Sequence, residues 1–332
     1  MNIPMILPRR NFIKIASLTA LLSSKDVWAK YPDHPIHLIV PLAVGGNGDN
    51  MARLTQPLMA SQLGQPIVIE NRGGAGGSLG TEIASHAQAD GYTLLWGSNG
   101  SLVNSPLMQK VPRYNPLKDF QSIGLMSMVP MVLVLRKGLP INNLKEFIAY
   151  GASNGGAGLS IGTSGVGGSN HIPLELFKKA TNAKILHVPY RGGGSALPDL
   201  LGGNVDGLFT EVSTVLDMHK TGQARIIGIA SSQRSPLIPE VETFIDFGLN
   251  NFTAFTFNGL WATSPAPADC INQLQSALAY ALKNPQLIAN VTKHGGLIAP
   301  VELQTPLGAQ KFLEKEINTT ILAMKIANIE PE

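Results

Sequence analysis

From residue 36 onward, short apolar runs alternate with segments in which apolar residues recur at helical spacing. The runs at 36–42, 66–70, 92–96, 131–135, 158–162, 184–188, 205–209 and 225–230 predict strands. Segments near 49–63, 78–88, 143–152, 170–180, 195–202 and 213–221 predict helices between them. Nearly every position of a run such as MVLVL or RIIGIA is apolar, the pattern of a strand buried on both faces. Strand–helix–strand order with such strands predicts parallel sheets covered by helices. Pro57 interrupts the first helical pattern and predicts a kink there.

The C-terminal part has another rhythm. Residues 252–262 (FTAFTFNGLWA) read as one longer strand, followed by the turn SPAPAD and helical patterns near 269–284 and 305–327. Leu307, Phe312, Ile317, Ile321 and Met324 give the last helix a core-facing stripe. No repeat of 20–50 residues and no Ser/Gly linker divides the chain, which suits two α/β domains joined by more than one crossover.

Charge changes the picture at the N-terminus. Residues 1–29 carry Arg9, Arg10, Lys14 and Lys25 against Asp26, and setting them aside takes the net charge from +3 to 0. A nucleic-acid footprint is therefore not expected. The same residues read as an export leader: a basic start, an apolar stretch from Phe12 to Leu22, and a small-residue end at Ala29. RRNFIK within it resembles the twin-arginine signal, the alternative being an ordinary secretory leader. No later run of about 18 uncharged apolar residues occurs, so a soluble exported protein is expected. Cys270 is the single cysteine, which excludes an internal disulfide and a multi-cysteine zinc site.

Four glycine-rich loops carry the candidate chemistry. They lie at 45–49 (GGNGD), 73–78 (GGAGGS), 163–170 (TSGVGGSN) and 191–195 (RGGGS), each between a strand and a helix with Asp, Ser or Asn near its cap. Glycine lets backbone approach a ligand, and a helix start offers unpaired N–H groups, so such loops can hold an anion without a cationic side chain. Any one of them alone reads as a tight turn. Nucleotide motifs fail: no Walker sequence exists, and the dinucleotide spacing from Gly74 meets Leu79 where glycine is needed. GGSLG at 76–80 matches the nucleophile-elbow pattern around Ser78, yet residues 71–75 separate it from its strand, against a hydrolase. Ser164 and His171 read better as a cap and a helix-face residue than as a catalytic pair. No histidine pair has a spacing such as His-Glu-x-x-His, and neither metal nor cofactor is expected. Phe257 and Trp261 could stack on a ligand ring, but on a long strand they read as core.

Taken in order, YPDHPIHLIVPLAVGGNGDNMARL, LGQPIVIENRGGAGGSLGTEIASHAQADGYTLLWGSNG, GTSGVGGSNHIPLELF, HVPYRGGGSALPDLLGGNVDGLF and RSPLIPEVETFIDFGL resemble the periplasmic receptors of tripartite tricarboxylate transporters, the Bug family. The resemblance runs from about Tyr31 to the C-terminus. It implies a two-domain periplasmic-binding-protein-like α/β fold, with a ligand cleft between the domains and hinge crossovers near Met128–Pro130 and Ile229–Ser232. The first domain would comprise 30–128 and 230–332, the second 129–229.

In the family, a ligand carboxylate is held by backbone groups and ordered water at the first and third loops. Carried over, that nominates Gly45, Gly46 and Asp49 with Thr163, Ser164, Gly165 and Gly167; Val44, Asn47, Ser98, Asn99, Val166, His171, Tyr190, Thr210 and Glu211 complete the expected site. Implied partners are a small organic carboxylate and two membrane subunits; a sensor kinase is the partner under the alternative of a sensory role. A monomer in the periplasm with no catalytic residue is expected. Three positions depart from the family pattern: Val44 stands where proline is usual, Thr210 followed by Glu211 where Asp is common, and Ser195 where proline is frequent.

Overall fold

The computed structural model describes residues 31–153 and 158–331; the leader lies outside them. Ile36–Val40 forms strand β1, parallel to β2 (Ile67–Asn71) on one side and β3 (Thr93–Gly97) on the other. The connections are right-sized helices, α1 (Asn47–Leu63) and α2 (Ser78–Ser85). Helix α1 continues through Pro57 as one element, because Met51, Ala52 and Met59 bury against the sheet and outweigh one lost backbone bond. It stops at Gly64, whose left-handed φ of 70° lets its N–H reach Ala60 O.

Strand β4 (Phe120–Arg136) is the spine of the molecule. Its N-terminal part, through Pro130, pairs antiparallel with the later strand 255–263; from Met131 it pairs with strands 207–211 and 224–229 instead. Along the second part, side chains alternate between two cores. Met131, Leu133 and Leu135 face one, while Val132 and Val134 face the other.

The second lobe then builds outward. Helix α3 (Leu144–Ser153) precedes β5 (Leu159–Thr163); α4 (His171–Thr181) leads to β6 (Ile185–Pro189); α5 (Leu197–Gly202) leads to β7 (Gly207–Glu211); α6 (Val212–Lys220) leads to β8 (Ala224–Ile229). Strand β9 (Phe255–Thr263) returns to the first lobe, followed by α7 (Ala268–Leu282), α8 (Pro285–Lys293), the short β10 (Leu297–Ile298) and α9 (Pro306–Ala327). The strand order is β2-β1-β3-β9-β4-β7-β5-β6, with β8 and β10 also on β4.

Three expectations need correction. The sheets are mixed, not parallel: β1–β3 and β5–β7 are parallel neighbours, but β9, β7, β8 and β10 all run antiparallel to their partners on β4. The pattern of apolar residues reports burial on two faces and is blind to strand direction. Residues 230–254, assigned to the first domain, pack on the second lobe. Phe244 stacks on Phe177 with ring centroids 5.3 Å apart, and Ile238 and Val241 enter the core with Val132 and Val134. The return crossover accordingly lies at Ala254–Phe255, beside the first one: Met131 N–H donates to Ala254 O at 3.0 Å. Finally, helix α8 stands where the apolar pattern predicts none, capped by Asn284 and opened by Pro285.

Candidate functional site

Each glycine loop sits at the carboxyl end of a strand, and the four meet along the seam between the lobes. The first and fourth touch backbone to backbone: a Cβ placed on Gly194 would lie 2.5 Å from Val44 O and 2.8 Å from Gly46 N. The second and third do the same, a Cβ on Gly76 lying 2.4 Å from Val166 O. Only glycine permits these approaches. Gly45 (φ 79°), Gly76 (φ 64°) and Gly165 (φ 116°) also need its left-handed freedom, whereas Gly46, at φ −77°, does not. Glycine thus serves closure of the lobes as much as ligand approach, a use that motif reading did not separate.

The first loop is pinned from within. Asp49, 1% exposed, accepts from Gly45 N–H (3.0 Å), Arg53 Nε (2.9 Å) and Asn71 Nδ2 (3.0 Å). Burial pushes its carboxyl up, but these bonds outweigh it and hold the group below the usual carboxylate range. The expected caps are absent in form: neither Asp49 nor any other side chain caps α1, α2 or α4. Asp49 thus shapes the loop, and Gly46 N is the group set against the fourth loop, 2.8 Å from where a Cβ of Gly194 would stand. Val44 is 63% exposed, although its carbonyl stands against Gly194.

The third loop is held without an ion pair. Asn170, fully buried, accepts from both Ser164 N–H (2.9 Å) and Ser164 Oγ (2.7 Å). Thr163 Oγ1 accepts from Gly165 N–H (3.2 Å) and lies 2.6 Å from His187 Nε2. His171 Nδ1 accepts from Gly167 N–H at 3.4 Å, and its ring stacks on His187 with centroids 4.6 Å apart. Burial, aided by the neighbouring His171, pushes His187 down to about 4. Val166 lies at the contact with the second loop.

Polar bonds cross the seam. Ser213 Oγ donates to Asn47 Oδ1 (3.0 Å), Gly100 N–H to Ser169 Oγ (3.0 Å), and Asn104 Nδ2 to Gly168 O (2.9 Å). Thr256 Oγ1 donates to Glu211 Oε1 at 2.6 Å, while Thr210 Oγ1 donates to Glu211 Oε2 at 3.2 Å. Glu211 is therefore a buried carboxylate served by hydroxyls, with no ion pair among the described residues. A Cβ on Gly193 would lie 3.7 Å from it, so the carboxylate Thr210 displaced by one position still faces the fourth loop. Ser98 Oγ, Asn170 Nδ2 and Thr214 Oγ1 are buried without a hydrogen-bond partner. They neighbour residues that bridge the seam (Gly100, Ser169 and Ser213), which places unspent donors of both lobes beside it.

Other expected residues point elsewhere. Tyr190 donates its hydroxyl to Asp199 Oδ2 at 2.7 Å within its own lobe, and burial with that carboxylate pushes the phenol up to about 12. Asn99 Oδ1 accepts from Phe257 N–H at 2.8 Å, fixing the end of β3 to β9. Phe257 and Trp261 are fully buried core. Ser78, in the nucleophile-like sequence, is buried, and its hydroxyl has no histidine partner among the described hydrogen bonds.

Sequence reading missed Asn170, Ser213, Thr214 and Thr256. For Thr256 and Asn258 a signal existed: two polar residues at period two in an otherwise apolar strand. It also missed that the fold gathers His171, Glu175 and His187, with one ligand atom of each within 4.8 Å of the others.

Known proteins resemble this chain in sequence and in fold. The model of the tripartite tricarboxylate transporter family receptor, TctC, matches residues 51–319. Protein BugT of Bordetella pertussis is 33% identical over 308 residues, covering 92% of each chain. MatC from Rhodopseudomonas palustris with bound malate superposes with a TM-score of 0.84 at 31% identity, over 88% of this chain and 99% of that one. A second R. palustris protein, Rpa4515 with adipate, gives 0.86 at 26% identity, over 91% and 100%. No helix among the described residues is long and apolar enough to cross a membrane. The chain belongs to the TctC family of periplasmic solute-binding receptors, with its two lobes closed on four glycine loops.

Proposed function

We propose that this chain captures a small organic carboxylate between its lobes in the periplasm and delivers it to the two membrane subunits of a tripartite tricarboxylate transporter. The observation that carries the reading is the seam itself. Glycine backbone and unspent neutral donors from both lobes converge there. Malate and adipate in the two structural relatives support a carboxylate as the ligand class. Gly45, Gly46, Ser98, Thr163, Ser164, Gly165 and Thr214 are the proposed contacts, and Glu211 accepts from a ligand hydroxyl or amine.

The lobes move about the paired crossovers at Pro130–Met131 and Ala254–Phe255, where β4 changes partners. The proposed second domain is therefore 131–254, with the leader directing export of the rest. A ligand touching both lobes shifts the population towards the closed form.

Calorimetric titration with malate and adipate, with mass spectrometry of material retained on gentle purification, tests the ligand class. Saturable binding of a carboxylate, with a smaller radius of gyration by solution scattering, is expected. Retention of only non-acidic compounds, or turnover of the bound carboxylate, would overturn the reading.

A further inference from the structure

We propose that His171, Glu175 and His187 form a binding site for one divalent first-row transition-metal ion, with Zn2+ as the representative. His171 opens α4 and Glu175 lies one turn later, so both project from one face of the helix. His187 comes from β6, brought alongside because β6 pairs with β5, the strand that ends at Thr163. One donor atom from each of the three falls within 4.8 Å of the others. The histidines stand at positions 171 and 187, so no local spacing betrays the group.

Two imidazoles and one carboxylate suit a borderline cation such as Zn2+, Ni2+ or Cu2+, whereas Ca2+ and Mg2+ prefer all-oxygen sites. The surroundings orient the donors. Thr163 Oγ1 is 2.6 Å from His187 Nε2, which leaves Nδ1 for the ion and provides the outer partner that metal-bound imidazoles usually have. Gly167 N–H points at His171 Nδ1 at 3.4 Å and helps fix the position of that ring. Glu175 and His187 are only partly buried, so an ion and its remaining waters have access from solvent.

Two features work against tight binding. Lys178 Nζ lies 2.8 Å from Glu175 Oε2 and competes for the carboxylate. The stacked rings, 21° from parallel, must turn towards a common point.

The experiment uses the exported full chain, stripped of metal by chelator dialysis and titrated calorimetrically with ZnCl2 in a non-coordinating buffer. Expected is one ion per chain, with affinity falling by roughly tenfold or more in His171→Ala and in His187→Ala. His219→Ala, far from the group, leaves it unchanged. Because the histidine variants could loosen the third loop, Lys178→Ala supplies a gain-of-binding arm: freeing Glu175 should tighten Zn2+ severalfold. The proposal is overturned by absence of saturable binding up to millimolar Zn2+, by binding that the histidine variants leave intact, or by Lys178→Ala failing to tighten it.

Discussion

In the first glycine loop a charge does the holding. Asp49 gathers the Gly45 N–H, the Arg53 guanidinium and the Asn71 amide in one buried carboxylate. In the third loop, across the seam, a neutral amide takes that place: Asn170 receives both polar hydrogens of Ser164, and two imidazoles brace the flanks. Loops that read alike in sequence are thus fixed by different physics. A charged anchor fails when it is protonated or when one partner is removed, because the remaining buried donors lose a strong acceptor. A neutral anchor is weaker, and its own bonds, unlike the imidazoles beside it, do not titrate. Backbone groups of both loops are pre-oriented before any ligand arrives, which lowers the ordering cost of binding.

Removing the charged anchor should give the largest effect. Asp49→Ala is expected to destabilise by about 2–3 kcal/mol, since three donors lose a charged acceptor. Scanning calorimetry should register this as a fall of roughly 4–10 °C in Tm. Asn170→Ala should lose less, about 1–2 kcal/mol for two neutral bonds. Equal losses would erase the distinction between the loops.

Next comes the contact between lobes. Gly194→Ala places a Cβ 2.5 Å from Val44 O, so closure is opposed by about 1–3 kcal/mol. Carboxylate affinity should drop about 5- to 150-fold by titration. Gly46→Ala, whose Cβ would lie 3.4 Å from Gly194 N at an ordinary φ, should change affinity far less. If both variants bind equally, the backbone contact does not limit closure.

Acid sharpens the comparison further. The Asp49 carboxyl is held below its ordinary value of 3.8, so its stabilisation is complete above that pH. The contribution is lost as pH falls below 3.8 through the folded-state value. The stability gap between wild type and Asp49→Asn, measured by denaturant unfolding, should therefore narrow between pH 5 and pH 2. The gap for Asn170→Ala should stay level over that range; parallel curves for the two variants would contradict the assignment. Smallest of all, Thr214→Ala should leave stability within about 1 kcal/mol, because the loss of one buried methyl is offset by removal of a buried hydroxyl with no protein partner. Its effect on carboxylate affinity should be a few-fold loss, consistent with one neutral hydrogen bond.

Much of the fold could be read in advance, for particular reasons. Strands such as Ile36–Val40 and Ala224–Ile229 were legible because nearly continuous apolar residues bounded by turn signals leave few alternatives. The whole of β4 was not: its N-terminal stretch, FQSIGLMSM, mixes small polar residues with apolar ones, and Ser122 and Ser127 are buried only because Pro306 and Asn258 supply bonds from far along the chain. Segment 230–254 carried no period at all, so its lobe was settled by where Phe244 and Ile238 found room. At the site, the glycines were legible as loops but not as contacts, and Asn170 and Glu211 acquired meaning only through partners on other elements.

What the sequence by itself determined here is the set of local choices: which stretches extend, which coil, where glycine frees the backbone, and that four such loops follow strands. Those follow from side-chain period and backbone sterics, which act over a few residues. The tertiary structure alone decided strand direction along β4, the adjacent crossovers, the pairing of first loop with fourth and second with third, and the meeting of His171 with His187. These depend on contacts between residues tens to hundreds of positions apart, set by packing two covered sheets around one shared strand, and no local pattern encodes them.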